Sequence, residues 1–193
     1  IERAQARSVD HAAQVLEGLY LAAANREHGQ RVGEDVIIAD LRIHLGQTLA
    51  PRQLIDLCAT RAIGAIAVVG DRTIEPGLET AALAGPELTV IVGQQIHTSD
   101  GELVGLFLTD AIADGRSAAD TAADVHSQGG VVMVPHPVWG EPPTPQTLAQ
   151  LRPELDCFEM VVGGASTMRG AITVENARLA QRFGSAITAG SGA

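Results

Sequence analysis

The amino-acid sequence predicts an α/β fold with a mainly parallel β-sheet, either open or closed into a barrel. Short apolar runs rich in β-branched residues recur along the 193 residues, and most of them alternate with amphipathic helical patterns. Strands and helices that alternate about every 25 residues are typical of βα units. Because neither an internal repeat nor a linker interrupts this alternation, we expect one domain.

Seven apolar runs have the length and composition of β-strands. Two of them are joined by a polar tip containing Asp-Gly, which predicts a β-hairpin. We expect the second arm of this hairpin, residues 103–108, to lie beside the barrel and not within it. The seven runs are VIIA at 36–39, AIAVV at 65–69, LTVIV at 88–92, LVGLFL at 103–108, VVMV at 131–134, FEMVV at 158–162 and AIT at 186–188.

Helical patterns separate most of these strands, at residues 50–62, 117–130, 144–151 and 174–184. Two of them begin with an N-cap residue, because Ser117 opens a Ser-x-x-Asp pattern and Thr144 precedes a proline. Residues 2–28 form an alanine-rich amphipathic pattern ahead of the first strand. We therefore divide the chain into an N-terminal helical extension, residues 1–33, and the α/β domain, residues 34–193.

Composition excludes several classes of function. The formal net charge is −10, which disfavours nucleic acid as a partner because nucleic acid requires a basic surface. No apolar run approaches the roughly 20 residues that cross a bilayer, and the first ten residues lack the apolar centre of a signal peptide. Cys58 and Cys157 lie far apart in apolar segments and are interpreted as buried thiols. These features favour a cytoplasmic protein without a membrane partner.

Polar side chains gather where the predicted strands end. In parallel α/β folds the carboxyl ends of the strands form the working face, so residues from distant segments meet there. If the first strand ends near residue 39, then residues 40, 42 and 44 lie on one face because side chains two apart share a face. The residues at these ends are Asp40, Arg42, His44, Asp71, Arg72, Gln94, Gln95, His136, Glu159 and Ser191.

The order of these segments resembles the PHP (polymerase and histidinol phosphatase) family. The resemblance covers residues 34–193 and rests on DLRIH, AIAVVGDRT, VIVGQQI, GELVGLF, GGVVMVPHP, FEMV and ITAGSGA. It implies a distorted (β/α)7-type barrel with several zinc, manganese or iron ions that activate water against phosphate esters. GELVGLF and the leading helix are most similar to PHP domains associated with glycosyltransferases.

The chain departs from the family at most of the implied ligand positions. The family pattern Asp-x-His-x-His has Arg42 at its first histidine and keeps His44 at its second, while the Asp-His pair becomes Gly70-Asp71. Gln95 replaces the bridging glutamate, and His136 is kept. The aspartate of the last motif is Gly192, and the sequence stops at Ala193 before the final histidine.

These departures remove most of the negative charge that a multinuclear site needs. Arginine is permanently cationic and glutamine is neutral, whereas neighbouring divalent ions need anionic ligands. His44, Asp71 and His136 remain as a vestigial site for at most one weakly held zinc, manganese or iron ion. We expect Arg42 and Arg72 either to pair with Asp40 and Asp71 or to bind a phosphate.

Three functions follow as expectations. The first is a pseudoenzyme, in which a degenerate PHP domain acts as a binding, regulatory or scaffolding module. The second is an attenuated metal-dependent phosphoesterase with a single ion. The third is a binder of a phosphorylated metabolite without turnover, through a pocket of Asp40, Arg42, Arg72, Gln95, Glu159 and Ser191.

The partner is predicted from the number of strands. Six strands of the βα type in a barrel that the resemblance implies to have seven would leave the C-terminal end incomplete, with an unpaired edge. We therefore expect a homodimer, while the family resemblance implies a glycosyltransferase-like partner as the alternative. His11, His28, His97 and His126 are interpreted as ordinary surface or capping residues.

Overall fold

The structure is a computed structural model that describes residues 37–45, 49–135, 143–162, 178, 181–183 and 185–190. The predicted N-terminal helix, His136, Ser191 and Gly192 lie outside these residues. Seven strands form one sheet in chain order, which confirms the α/β barrel. They are β1 (Ala39–Ile43), β2 (Ala65–Asp71), β3 (Thr89–Thr98), β4 (Gly101–Leu106), β5 (Val131–Val134), β6 (Cys157–Val162) and β7 (Ala186–Gly190).

The barrel is nearly closed. Its strand pairs are parallel, except that β4 runs antiparallel to both β3 and β5. At the seam between the first and last strands, β7 lies against β1. Across the described residues, no ladder of backbone hydrogen bonds joins these two strands.

The hairpin is confirmed, but its predicted position beside the barrel is wrong. β4 pairs with β3 on one side and with β5 on the other, so it is a barrel strand. The physical reason is that β4 is apolar on both faces: Val104 and Leu106 pack inside the barrel, while Leu103 packs outside. A hairpin arm outside the barrel would leave one of these faces in water. The count of six strands, on which the predicted homodimer depended, is therefore wrong.

Four α-helices are described: α1 (Pro51–Thr60), α2 (Glu75–Leu83), α3 (Ala118–Ser127) and α4 (Pro145–Leu151), the last continuing into a 3-10 turn (Arg152–Glu154). Both predicted N-caps are confirmed. The Ser117 side chain accepts a hydrogen bond from the Asp120 amide at 3.1 Å, and Thr144 Oγ1 accepts one from the Thr147 amide at 3.1 Å. Of the pattern at 174–184, only residues 178 and 181–183 are described, and they are helical.

Helix α2 was not predicted from the sequence. Its buried positions are Gly77 and Thr80, while Leu78 and Leu83 are exposed. A Cβ at Gly77 would lie 3.1 Å from the Val68 carbonyl oxygen, so the helix lies very close to the sheet. The periodicity of large apolar residues fails here because small side chains form the contact.

Buried side chains form an interior cluster and two outer clusters. The outer clusters contain helix residues such as Leu54 and Val125, which places them between the sheet and the helices. Burial on both faces explains why the strands are nearly continuous apolar runs. Cys58 and Cys157 are free buried thiols, as predicted. The interior cluster consists of Leu41, Ala67, Val69, Ile91, Val104, Leu106, Val131, Met133 and Cys157.

His126 ties α3 to the segment that precedes β6. Its Nδ1 lies 3.1 Å from Glu154 Oε2, and its Nε2 lies 2.9 Å from Asp156 Oδ2. The same Asp156 oxygen accepts the Val132 amide at 2.7 Å. The hydrogen bond to Asp156, helped by Glu154 and opposed by burial, raises the pKa of His126 above 6.5. The residue is therefore a structural ion-pair partner.

Replacing His126 with glutamine is expected to lower the melting temperature most at acid pH. Because the folded-state pKa is raised, the stabilisation is fully present below the unfolded value of about 6.5 and is lost as pH rises through the folded pKa. Thermal unfolding of parent and variant from about pH 5.5 to about pH 9 measures this difference. A difference in melting temperature that stays constant over this range would contradict the assignment.

Candidate functional site

A β-bulge in β1 decides which of its polar residues face the barrel interior. Asp40 pairs with Ile66, yet Ile43 pairs with Val68, so β1 has one extra residue here. Ile43, Ile66 and Val68 belong to one outer cluster. Since directly opposed residues share a face, Asp40 and Ile43 both face outward.

The expectation that residues 40, 42 and 44 share a face is therefore wrong for Asp40. The physical reason is the extra residue, which shifts the alternation of side chains between Asp40 and Ile43. Leu41 packs in the interior cluster, and the Arg42 side chain also lies inside. The first strand was also predicted too early, because β1 begins at Ala39 and includes Arg42.

A buried ion pair joins β1 to β6 inside the barrel. Arg42 Nη1 donates to Glu159 Oε2 at 2.5 Å, and the two side chains are 8% and 0% exposed. Both residues were predicted to lie at the working face, and the structure brings them together. Arg42 was predicted to pair with Asp40, but its guanidinium pairs with Glu159, while its backbone amide donates to Asp40 Oδ1 at 3.3 Å.

His44 is held in its neutral form next to this pair. Its Nε2 accepts a hydrogen bond from Arg42 Nε at 3.2 Å. Burial, followed by the charge of Arg42, lowers the pKa of His44 below 6.5, while a hydrogen bond to the Val69 backbone and the charge of Asp71 oppose this shift. The lone pair that would bind a metal therefore already accepts a guanidinium N–H.

Gly190 makes room for the ion pair across the seam. It lies in β7, between the strands that carry Arg42 and Glu159. A Cβ at Gly190 would lie 2.7 Å from Arg42 Cβ, 2.9 Å from the Arg42 amide nitrogen and 3.0 Å from Glu159 Oε1. Only a residue without a side chain therefore fits at this position.

Arg72, which was predicted to pair with Asp71, has a different partner. Arg72 Nε lies 3.3 Å from Asp114 Oδ2, so Arg72 is paired with Asp114 and not with Asp71. Arg72 adopts a left-handed backbone with φ of 60°, and its amide donates to the Gln95 carbonyl. This left-handed residue directly follows the last residue of β2, Asp71.

Asp71 instead contacts His97, which was predicted to be an ordinary surface or capping residue. Asp71 Oδ1 lies 2.9 Å from His97 Nε2, and His97 Nδ1 lies 3.3 Å from Glu102 Oε1. The β3–β4 pairing sets His97 directly opposite Glu102. Alternation along β3 could have predicted this, because His97 lies two residues after Gln95 and shares its face.

Gln94 has a structural function. Its side chain is fully buried, donates to the Ile112 carbonyl at 2.6 Å and accepts the Ile112 amide at 2.9 Å. This pair of hydrogen bonds attaches the loop after β4 to β3. Gln95 is partly buried on the opposite face of the strand.

The interior residues do not fit the metal centre that the family resemblance implies. A guanidinium is bonded to both Glu159 and His44, so a cation already occupies the position between these two ligand types. Among the residues that the structure describes, no group of three His, Cys, Asp or Glu side chains is arranged to hold a metal ion. His136, the remaining predicted ligand, lies outside those residues.

Comparisons with known proteins support the barrel fold. No family model matches the chain. An uncharacterized protein of Methanocaldococcus jannaschii is 34% identical over 88 residues, which are 45% of this chain and 52% of that protein. The chain thus matches about half the length of this curated relative.

Two solved structures share the architecture at low sequence identity. One is provisionally assigned as a metal-dependent phosphoesterase from Bifidobacterium adolescentis, with TM-score 0.61 and 12% identity, covering 81% of this chain and 87% of that one. The other is an amidohydrolase from Chromobacterium violaceum, solved with sulfate and no metal, with TM-score 0.61 and 15% identity, covering 79% and 86%. These similarities support the nearly closed α/β barrel fold.

Among the described helices, none is long and apolar enough to cross a bilayer.

Proposed function

We propose that the chain is a PHP-like barrel module that binds or regulates a partner and does not hydrolyse phosphate esters. The observation that carries the proposal is the buried pair of Arg42 and Glu159, at 2.5 Å. Hydrolysis by several metal ions needs anionic ligands that offset the repulsion between the cations. A fixed guanidinium at this position repels other cations, and it neutralises the Glu159 carboxylate that a metal ion would need as a ligand.

Two other functions are supported less well. A single-ion phosphoesterase would need His44 and Asp71 as ligands together with His136, but His44 Nε2 accepts from Arg42 and Asp71 contacts His97. A phosphate binder would use the guanidinium of Arg42, which is engaged with Glu159. Both functions would therefore require existing contacts to break before the ligand binds.

The partner is proposed from the fold and the family resemblance. A barrel that lacks catalytic ions can serve as a docking unit, and a glycosyltransferase-like protein is the partner that we propose. A homodimer stays a prediction that has lost its original basis, because the sheet has seven strands. The two buried thiols, Cys58 and Cys157, support a reducing, cytoplasmic setting.

Phosphoester hydrolysis by the parent and two variants tests the proposal. Arg42→His and Gln95→Glu each restore one family-type residue, yet each leaves an incomplete site. We expect neither variant to exceed the parent with Mn²⁺ present, because residues that act as one site are strongly non-additive. The measurement is release of a chromophore from a generic phosphate monoester and a diester.

Circular dichroism of each variant controls for folding. Manganese-dependent turnover by the folded parent, or by either folded single variant well above the parent, would contradict the proposal.

A further inference from the structure

In the described chain, every parallel strand pair except the seam is connected through a helix on the outer side of the barrel. Helix α1 connects β1 to β2, α2 connects β2 to β3, α4 connects β5 to β6, and helical residues at 178 and 181–183 precede β7. The strand directions make β7 parallel to β1, yet within the described residues no helix connects these two strands. Parallel sheets normally have both faces covered, so the outer side of the seam is open to another segment.

Apolar side chains are exposed beside this open position. Of the five large apolar side chains that are exposed among the described residues, three lie just before β1 or in the last turn of α1. They are Ile37 at 55%, Ile38 at 37% and Leu57 at 39% exposure, and we call them the seam patch. A Cβ at Gly64 would lie 3.1 Å from Ile37 Cγ2, which places Ile37 against the loop between α1 and β2.

Leu57 lies on the side of α1 that faces the seam. Successive residues of an α-helix are about 100° apart, so Ile55 and Leu57 lie on opposite flanks of the buried pair Leu54 and Cys58. Ile55 packs against the same outer cluster as Ala84, which directly follows α2. Because βαβ crossovers are right-handed, the Ile55 flank faces α2 and the Leu57 flank faces β1 and the seam.

The N-terminal segment, residues 1–33, carries the kind of surface that this patch requires. Its predicted helix, residues 2–28, has large apolar side chains at helical spacing on one side, and such a stripe is stable only when it is buried against another surface. We propose that residues 1–33 dock on the outer side of the seam, with this apolar stripe on the seam patch. The contact is intramolecular and goes beyond the function proposed above. The stripe consists of Val15, Leu16, Leu19 and Tyr20.

The connection between the two surfaces is short. Only residues 29–36 separate the predicted helix from Ile37, which itself belongs to the seam patch. These residues span at most about 29 Å when fully extended, and Gly29 and Gly33 suit a reversal of the chain. A short connection gives an effective concentration in the millimolar range. At micromolar protein the segment therefore reaches the seam patch more readily than a second copy of the chain does.

The chain offers a matched control variant for each surface. The stripe variant, Leu16→Gln with Leu19→Gln, is matched by Leu21→Gln, because Leu21 lies on the opposite side of the predicted helix. The patch variant, Leu57→Gln, is matched by Leu78→Gln, because Leu78 is 45% exposed but belongs to α2, which lies over β2 and β3. Glutamine supports a helix about as well as leucine does, so each variant removes an apolar contact and keeps the helical propensity.

Nuclear magnetic resonance of the intact chain tests the docking, because Tyr20 is its one tyrosine and its ring resonances report on a single position. We expect nuclear Overhauser effects between the Tyr20 ring and the methyl groups of Ile37 and Ile38. The stripe variant and the patch variant are both expected to lose these effects, since each removes apolar surface from one side of the contact. The two control variants are expected to keep them.

Three results would overturn the docking. The first is the absence of these effects in the parent, and the second is their persistence in the stripe variant or their loss in a control variant. The third is that they occur between copies, which a mixture of isotope-labelled and unlabelled chains detects and which would assign the seam patch to a dimer. Because Leu57 and Leu78 are exposed, the amide resonances of the barrel away from each substitution are expected to match the parent, which controls for folding.

Discussion

Replacing Glu159 with glutamine is expected to destabilise the protein by about 3–5 kcal/mol, because it leaves the buried guanidinium of Arg42 without an opposite charge. Both side chains are less than a tenth exposed, so solvent cannot compensate for the missing charge. For a domain of this size the melting temperature should fall by about 6–20 °C. Thermal and urea unfolding of parent and variant measure the effect.

Two controls separate this effect from a general loss of charge. The pair formed by Arg116 and Asp124 is solvent-exposed, so Asp124→Asn is expected to cost less than about 1 kcal/mol. Replacing both members of the buried pair, as Arg42→Met with Glu159→Leu, should recover most of the loss because no unpaired charge remains. The assignment is wrong if Glu159→Gln and Asp124→Asn unfold at the same temperature.

Gly190→Ala is expected to destabilise the barrel by about 1–3 kcal/mol through overpacking at the seam. The added methyl group would lie 2.7 Å from Arg42 Cβ and 2.9 Å from the Arg42 amide nitrogen. These are atoms of the backbone and the first side-chain carbon, which cannot move without moving β1. The free energy of unfolding in urea is the measurement.

The neighbouring exposed residue provides the control. Ala189 lies in the same strand and is exposed, so Ala189→Ser should change the free energy of unfolding by less than about 0.5 kcal/mol. If Gly190→Ala is as stable as Ala189→Ser, β1 and β7 are not held closely at this point.

Much of the fold could be predicted because both faces of the sheet are buried. Every strand of the barrel overlaps or adjoins an apolar run in the sequence, and the N-caps Ser117 and Thr144 define helix starts by a local mechanism. Strand ends were less predictable. β3 extends to Thr98, because the polar residues after Val92 continue the backbone hydrogen bonds to β4. Hydropathy alone cannot predict backbone pairing, so this extension was missed.

The site was predicted only in part because its geometry depends on register. Arg42 and Glu159 were both selected, but a bulge of one residue, invisible in the sequence, sends Asp40 to the opposite face. The pairing of Arg72 with Asp114 depends on a left-handed backbone at a residue other than glycine. His97 was missed because a histidine near a hairpin tip is usually exposed, whereas here β4 belongs to the barrel.

The seam between β1 and β7 can form only after β7, the last strand in the sequence, has been synthesised. Every strand pairs with its neighbour in chain order, so the sheet can grow as the polypeptide leaves the ribosome. Arg42 and Glu159, however, are 117 positions apart, and β7 follows later still. Through most of translation the first strand is thus an open edge with a solvated guanidinium on its inner face. An inward-facing charge on an open edge discourages pairing with other chains, so we expect Arg42 to oppose aggregation of the barrel while it is incomplete.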